Sequence, residues 1–266
     1  MKRIHKLIVL LMVITLWAIQ PVLSQGKIQI QRWKVGDTDR EALLYVPASA
    51  TGKPSPVIFL FHGHGGDMRK MFDHHRFDKL WPEAIVVVPQ GLNTPGKLID
   101  RTGKRTGWQQ APGEMNDRDL HFFDDILQTL HKQYQIDNKR IYATGHSNGG
   151  NFTYLLSAMR GSVLAAIAPS AAALANFDKI ADPKPVMHIV GENDRLVKPV
   201  WQRAQITRVL KLNQCSIIGR PYAPNAIVYT SPTHNPVVVY THTGGHIYPT
   251  EADSIVIKFF KSITGK

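Results

Sequence analysis

Apolar positions along this chain follow two alternating rhythms. Residues 29–33 and 41–46 read as an opening antiparallel pair of strands. Residues 57–61, Val-Ile-Phe-Leu-Phe, are apolar throughout, as expected of a strand covered on both faces. Further strands are predicted over 84–88, 140–144, 164–168, 185–190 and 237–241. Between them the period lengthens. Leu120, Phe123, Ile126, Leu127 and Leu130 share one helical face, and Phe152, Leu155, Leu156 and Met159 share another. Ile255, Phe259 and Phe260 set a last helix against the sheet. This alternation predicts an α/β fold, a mostly parallel central sheet with helices on both faces. Residues 91–119, rich in Gly, Pro, Lys and Arg, are the longest irregular stretch and are expected to rim a site.

The N-terminus follows a different pattern. Lys2, Arg3 and Lys6 precede an apolar run over 7–19, and Val22-Leu23-Ser24 offers a cleavage point before Gln25. That order predicts a secretory signal peptide over residues 1–24. The run is shorter than the ~20 residues that span a bilayer, so no membrane anchor is expected. Residues 25–266 suit one catalytic domain. The formal charge is +12, but the basic residues are dispersed as pairs such as Arg69-Lys70 and Lys104-Arg105, without aromatic interleaving. Nucleic acid is therefore not an expected partner, and no protein partner is implied, whereas weak attraction to anionic polysaccharide is. Cys215 is the only cysteine, which leaves no intrachain disulfide.

Candidate chemistry centres on Gly145-His146-Ser147-Asn148-Gly149-Gly150. It fits G-x-S-x-G between a predicted strand and a predicted helix, the setting in which glycines allow a sharp turn that exposes a serine. A serine hydroxyl becomes a strong nucleophile when an imidazole takes its proton and a carboxylate fixes that imidazole's tautomer. In the order Ser, acid, His, Gly191-Glu192-Asn193-Asp194 follows one strand and Gly244-Gly245-His246 follows another. Asp194 is assigned as the acid, with Glu192 as competitor, and His246 as the base, with His242 as competitor. An oxyanion would be met by the Asn148 N–H and by an N–H from His62-Gly63-His64-Gly65-Gly66. This second donor is assigned to His64, with Gly65 as the alternative. His62, His64, Asp67, His74 and His75 also suggest a metal, but their spacing misses H-x-H-x-D-H, so no metal or other cofactor is expected.

With these residues in place, the chain resembles the branch of the α/β-hydrolases that holds polyhydroxybutyrate depolymerase-type enzymes and the feruloyl and acetyl-xylan esterases. The markers are His62-Gly63, Asp117-Arg118-Asp119 and residues 137–150, 191–197 and 244–249. The resemblance implies an α/β-hydrolase fold and cleavage of carboxylic esters by Ser147, Asp194 and His246. It favours Asp194 over Glu192, because the family pattern places its acid three residues after the glycine. It also implies that Trp108 lines the acyl or alcohol pocket, the alternative being a tryptophan packed under the long loop. His64 and Gly107 stand where family members often carry cysteine. Between Ser147 and Asp194 the predicted elements leave nothing for a cap domain, so an open cleft is expected, suited to a polymeric ester. Feruloyl or acetyl esters on plant polysaccharide rank first, with a polyhydroxyalkanoate-type polyester or a peptide as alternatives.

Overall fold

The computed structural model describes residues 26–96, 98–175, 177 and 181–264, and the predicted signal peptide lies outside them. The chain opens with β1 (Lys27–Val35), β2 (Thr38–Val46) and β3 (Ser55–Phe61), followed by α1 (Met68–His75), α2 (Phe77–Leu80) and β4 (Ile85–Pro89). Next come β5 (Leu92–Asn93), β6 (Thr106–Gly107), α3 (Arg118–Gln133), β7 (Ile136–His146) and α4 (Asn148–Met159). The remainder is β8 (Ala166–Ser170), β9 (Val186–Gly191), α5 (Pro199–Leu212), β10 (Arg220–Ala223), β11 (Ala226–Tyr229), β12 (Val237–His242) and α6 (Asp253–Ser262).

Ten strands make one mixed sheet in the order β1-β2-β4-β3-β7-β8-β9-β12-β11-β10. From β4 to β12 all neighbours pair in parallel, while β1, β2, β11 and β10 add antiparallel margins. The period-2 geometry of a strand sorts its side chains into two cores. Val57, Phe59 and Phe61 point to one face, with Phe123 of α3, Phe152 and Leu155 of α4 and Val209 of α5. Ile58 and Leu60 point to the other, with Phe72 of α1, Phe77 of α2 and Phe259 and Phe260 of α6. Because both faces are covered, the central strands read as unbroken apolar runs.

The predicted strands are all present, with β8 shifted two residues toward the C-terminus of its predicted span. The sequence pattern did not foresee α1, α2, α5, β10 or β11. Between β7 and Asp194 no helical cap stands among the described residues. No helix in the described residues is long and apolar enough to cross a membrane.

Candidate active site

The site sits at the C-terminal ends of the parallel strands, where an α/β sheet places its ligands. Ser147 occupies the turn from β7 into α4 with φ 55° and ψ −116°, a conformation that costs a non-glycine residue about 1–3 kcal/mol. Its N–H donates to Ser170 O at 2.8 Å, which ties the turn to β8. Two glycines make the turn possible. A Cβ at Gly145 would meet Gly149 O at 2.6 Å, and one at Gly149 would collide with the main-chain oxygens of Phe61 and His62.

Ser147 Oγ lies 2.8 Å from His246 Nε2, and His246 Nδ1 lies 2.8 Å from Asp194 Oδ2. The structure thus brings together the three residues expected to form a triad. Asp194 is buried, and its Oδ1 accepts from the N–H groups of Leu196 (2.8 Å) and Val197 (2.9 Å). Its Oδ2 accepts also from Gln202 Nε2 at 3.1 Å. Leu196, Val197 and Gln202 all donate to it, and His246 Nδ1 can do the same. Glu192 faces outward, with Arg203 Nη2 3.8 Å from its carboxylate. His242 turns its Nδ1 to accept the Gly244 N–H at 3.1 Å, and burial holds its pKa below the ordinary range. With Ser147 and Asp194 both on His246, the competitors Glu192 and His242 stand outside the hydrogen-bonded line.

The loop after β3 passes over this turn, since a Cβ at Gly63 would sit 3.6 Å from Ser147 Cβ. Gly65 N–H is committed to Thr106 O at 2.7 Å and Gly66 N–H to Gly63 O at 2.9 Å. The N–H groups of His64 and Asn148 have no acceptor among the described residues. The His64 ring is fixed by Asp100, with Nε2 3.0 Å from Oδ2. Donation from the Lys104 N–H, together with His64 and the Arg105 N–H, draws the Asp100 carboxyl down to about 2.

Trp108 requires a correction. It is 1 % exposed, its Nε1 donates to His62 O at 2.9 Å, and its ring stacks on Phe152 and meets Phe61 edge-on. No face remains for a substrate. Its main chain is gripped instead by the Asn148 side chain, which accepts from Trp108 N–H at 2.7 Å and donates to Trp108 O at 2.9 Å. Trp108 therefore pins the 91–117 loop to the first residue of α4. Asp117-Arg118-Asp119 braces the same loop. Asp119 receives Arg40 (2.9 Å) and the Gln109 N–H (2.9 Å), while Arg118 reaches Asn93 O.

That loop rims the site as the sequence predicts. A cleft of about 180 Å³ opens at Ser147 between Leu98 and Ile99 of the loop and, opposite, Leu196 and Val197 of the turn before α5 and Trp201 in its first turn. Trp201, 42 % exposed, is the aromatic side chain that faces this cleft. Sequence reasoning passed over it; its one signal is an aromatic seven residues beyond Asp194, at the third position of a helix opened by Pro199.

The histidines considered for a metal are engaged separately. His62 donates Nδ1–H to Gly63 O and accepts the Gly91 N–H at Nε2, and His75 pairs with Asp253 at 2.8 Å. Burial depresses the His62 pKa. No group of three His, Cys, Asp or Glu side chains among the described residues is placed to hold a metal ion.

A mixed, largely parallel sheet with a serine on the turn between β7 and α4 is the α/β-hydrolase fold, and the match to an acetyl xylan esterase family makes the chain a carboxylic ester hydrolase of that fold. It belongs to the acetyl xylan esterase (AXE1) family, whose model matches residues 34–199. It is 28% identical to feruloyl esterase D of Neurospora crassa over 220 residues, 75% of this chain and 70% of that one. It is 28% identical to feruloyl esterase C of Emericella nidulans over 244 residues, 85% of this chain and 81% of that one. Among solved structures, the acetyl xylan esterase from Aspergillus awamori superposes with a TM-score of 0.66 at 15% identity, covering 88% of this chain and 99% of that one. A ferulic acid esterase from Anaeromyces mucronatus, in complex with ferulic acid, gives 0.63 at 13% identity over 92% and 93%.

Proposed function

We propose that this chain is an exported serine esterase that removes feruloyl or acetyl groups from plant polysaccharide. The observation that carries the proposal is the line Ser147 Oγ, His246, Asp194, with both contacts at 2.8 Å, at the mouth of an apolar cleft. In this reading His246 Nε2 takes the Ser147 proton as Oγ attacks the ester carbonyl. The N–H groups of His64 and Asn148 receive the oxyanion, each worth ~10²–10³ in rate. Asp194 stabilises the imidazolium, which then protonates the departing sugar oxygen to give the free hydroxyl. Water repeats the sequence on the acyl-enzyme and releases the acid.

The substrate class draws support from the family and from Trp201, Leu98 and Ile99, an apolar lining that suits an aromatic acyl group. The leader over residues 1–24 supports export, and residues 25–266 would then form one catalytic domain. The test is turnover of methyl ferulate, acetylated xylan, hydroxybutyrate oligomers and a peptide anilide by the purified protein, with Ser147→Ala alongside. Ferulate or acetyl release that disappears in Ser147→Ala is expected. Turnover confined to the polyester or the anilide would overturn the substrate, and turnover surviving in Ser147→Ala would overturn the mechanism.

A further inference from the structure

Behind Asp194 lies a line of buried polar side chains that the triad does not require. Gln202 of α5 is fully buried and donates from Nε2 to Asp194 Oδ2 at 3.1 Å and to Val197 O at 2.7 Å. A carbonyl oxygen can only accept, so that end of the amide is the NH₂ and the other end is the acceptor. Gln202 Oε1 faces His188 Nε2 at 3.4 Å, and His188 Nδ1 faces the Tyr154 hydroxyl at 2.7 Å. The amide orientation makes Nε2 the protonated nitrogen of His188, which leaves Nδ1 to accept from Tyr154. Burial lowers the His188 pKa to about 4 and raises that of Tyr154, so the imidazole stays neutral and the phenol keeps its proton.

Every donor in this line therefore points toward Asp194. Ser147 and His246 point toward the same carboxylate from the other side. Tyr154 belongs to α4, the helix that begins just after Ser147. The hydrogen bonds consequently close a ring: nucleophile, His246, Asp194, Gln202, His188, Tyr154 and back through α4. Four unlike elements, α4, β9, α5 and the turn between β9 and α5, are locked at one spacing by it. A fully satisfied buried network of this kind specifies a single arrangement of its members.

We propose that Gln202, held by His188 and Tyr154, is a positioning residue that fixes the plane of the Asp194 carboxylate and the distance from the acid to the nucleophile's helix. The inference rests on the serine-triad reading above. Its test uses Gln202→Leu and Tyr154→Phe in the full protein, read by kcat, KM, Tm and the far-downfield proton resonance of His246 Nδ1–H. Gln202→Leu should lower kcat roughly tenfold with KM changed by less than about twofold, since a misplaced catalytic group loses rate rather than binding. The resonance should move further downfield, because His246 becomes the only side-chain donor on Oδ2. Tyr154→Phe keeps the ring and loses one hydroxyl, so it should shift both readouts in the same direction by less, and it decides alone if Gln202→Leu does not fold. Folded variants with lowered Tm, unchanged kcat and an unmoved resonance would overturn the proposal. A wild-type protein without the downfield proton and without labelling by a fluorophosphonate would instead bring down the triad reading itself.

Discussion

Replacing Asp194 by asparagine takes one acceptor from a group that meets only donors. The carboxylate receives Leu196 and Val197 N–H at Oδ1, and Gln202 and His246 at Oδ2, all within 3.1 Å. An amide offers one oxygen and one NH₂. With its NH₂ at the Oδ1 place, two main-chain donors, the buried Val197 N–H and the half-buried Leu196 N–H, lose their acceptor, at up to about 1–3 kcal/mol each. With its NH₂ at the Oδ2 place, only one Gln202 N–H loses its acceptor and His246 can respond by moving its proton from Nδ1 to Nε2, which is the cheaper outcome. Nε2 then carries a hydrogen where it should accept one from Ser147. The expected loss in kcat is about 10⁴-fold, or about 5 kcal/mol of barrier. KM should change little, because Asp194 is buried and does not line the cleft. Glu192→Gln is the matched control. Its carboxylate is 47% exposed with its ionic partner Arg203 3.8 Å away, a contact worth ~0–1 kcal/mol, so activity should stay within about twofold. Initial rates on one soluble ester, with circular dichroism to verify folding, decide the matter. Equal losses in the two variants, or an Asp194→Asn enzyme within about tenfold of wild type, would refute the assignment of the acid.

Ser147→Ala should lose ester turnover and fluorophosphonate labelling while melting near the wild-type temperature, and persistent labelling would relocate the nucleophile. His246→Ala should be near-dead, whereas His242→Ala should be only impaired through its turn; the reverse ranking in kcat would move the base to His242. Trp201→Ala should lower kcat/KM for methyl ferulate by about tenfold or less and barely touch short acetyl esters, since ring stacking adds ~0.5–1.5 kcal/mol beyond burial. Trp108→Ala should instead cost about 3–5 kcal/mol of stability, seen in denaturant melts, without changing acyl preference. Gln205 is fully buried, and neither its Nε2 nor its Oε1 has a partner among the described residues. Gln205→Met should therefore raise stability by about 1–3 kcal/mol, and a fall in Tm would mean that the amide holds ordered water.

What the sequence disclosed follows from how each element is buried. Strands β3, β4, β9 and β12 are covered on both faces and announce themselves as apolar runs. Strands β10 and β11, four residues each on the margin of the sheet, are mostly exposed or half-buried and carry no such signature. Helix α5 is hidden for a more interesting reason. It buries Gln202 and Gln205 beside Ile206 and Val209 and exposes Val200 and Trp201, so apolar and polar positions are mixed on both faces: Gln202 bonds Asp194 from the inner one, and Trp201 lines the cleft. The three residues proposed as a triad could be picked out because each follows a strand end in a fixed order, and the structure places them within hydrogen-bond distance. Trp108 was misplaced because a family position says that a tryptophan is present, not which way its ring turns; only the hydrogen bond to His62 O and the stack on Phe152 settle that.

The turn that carries Asp194 also forms part of the cleft. Leu196 and Val197 hold Asp194 through their main-chain N–H groups, and the same two residues line the cleft. A change of side chain at 196 or 197 leaves the donors where they are. Under the proposed function, the wall beside the acyl group can thus drift in size and polarity across generations, or be randomised in a laboratory library together with Trp201, while Asp194 keeps its setting. Novelty in substrate and constancy in chemistry are inherited through different atoms of the same two residues.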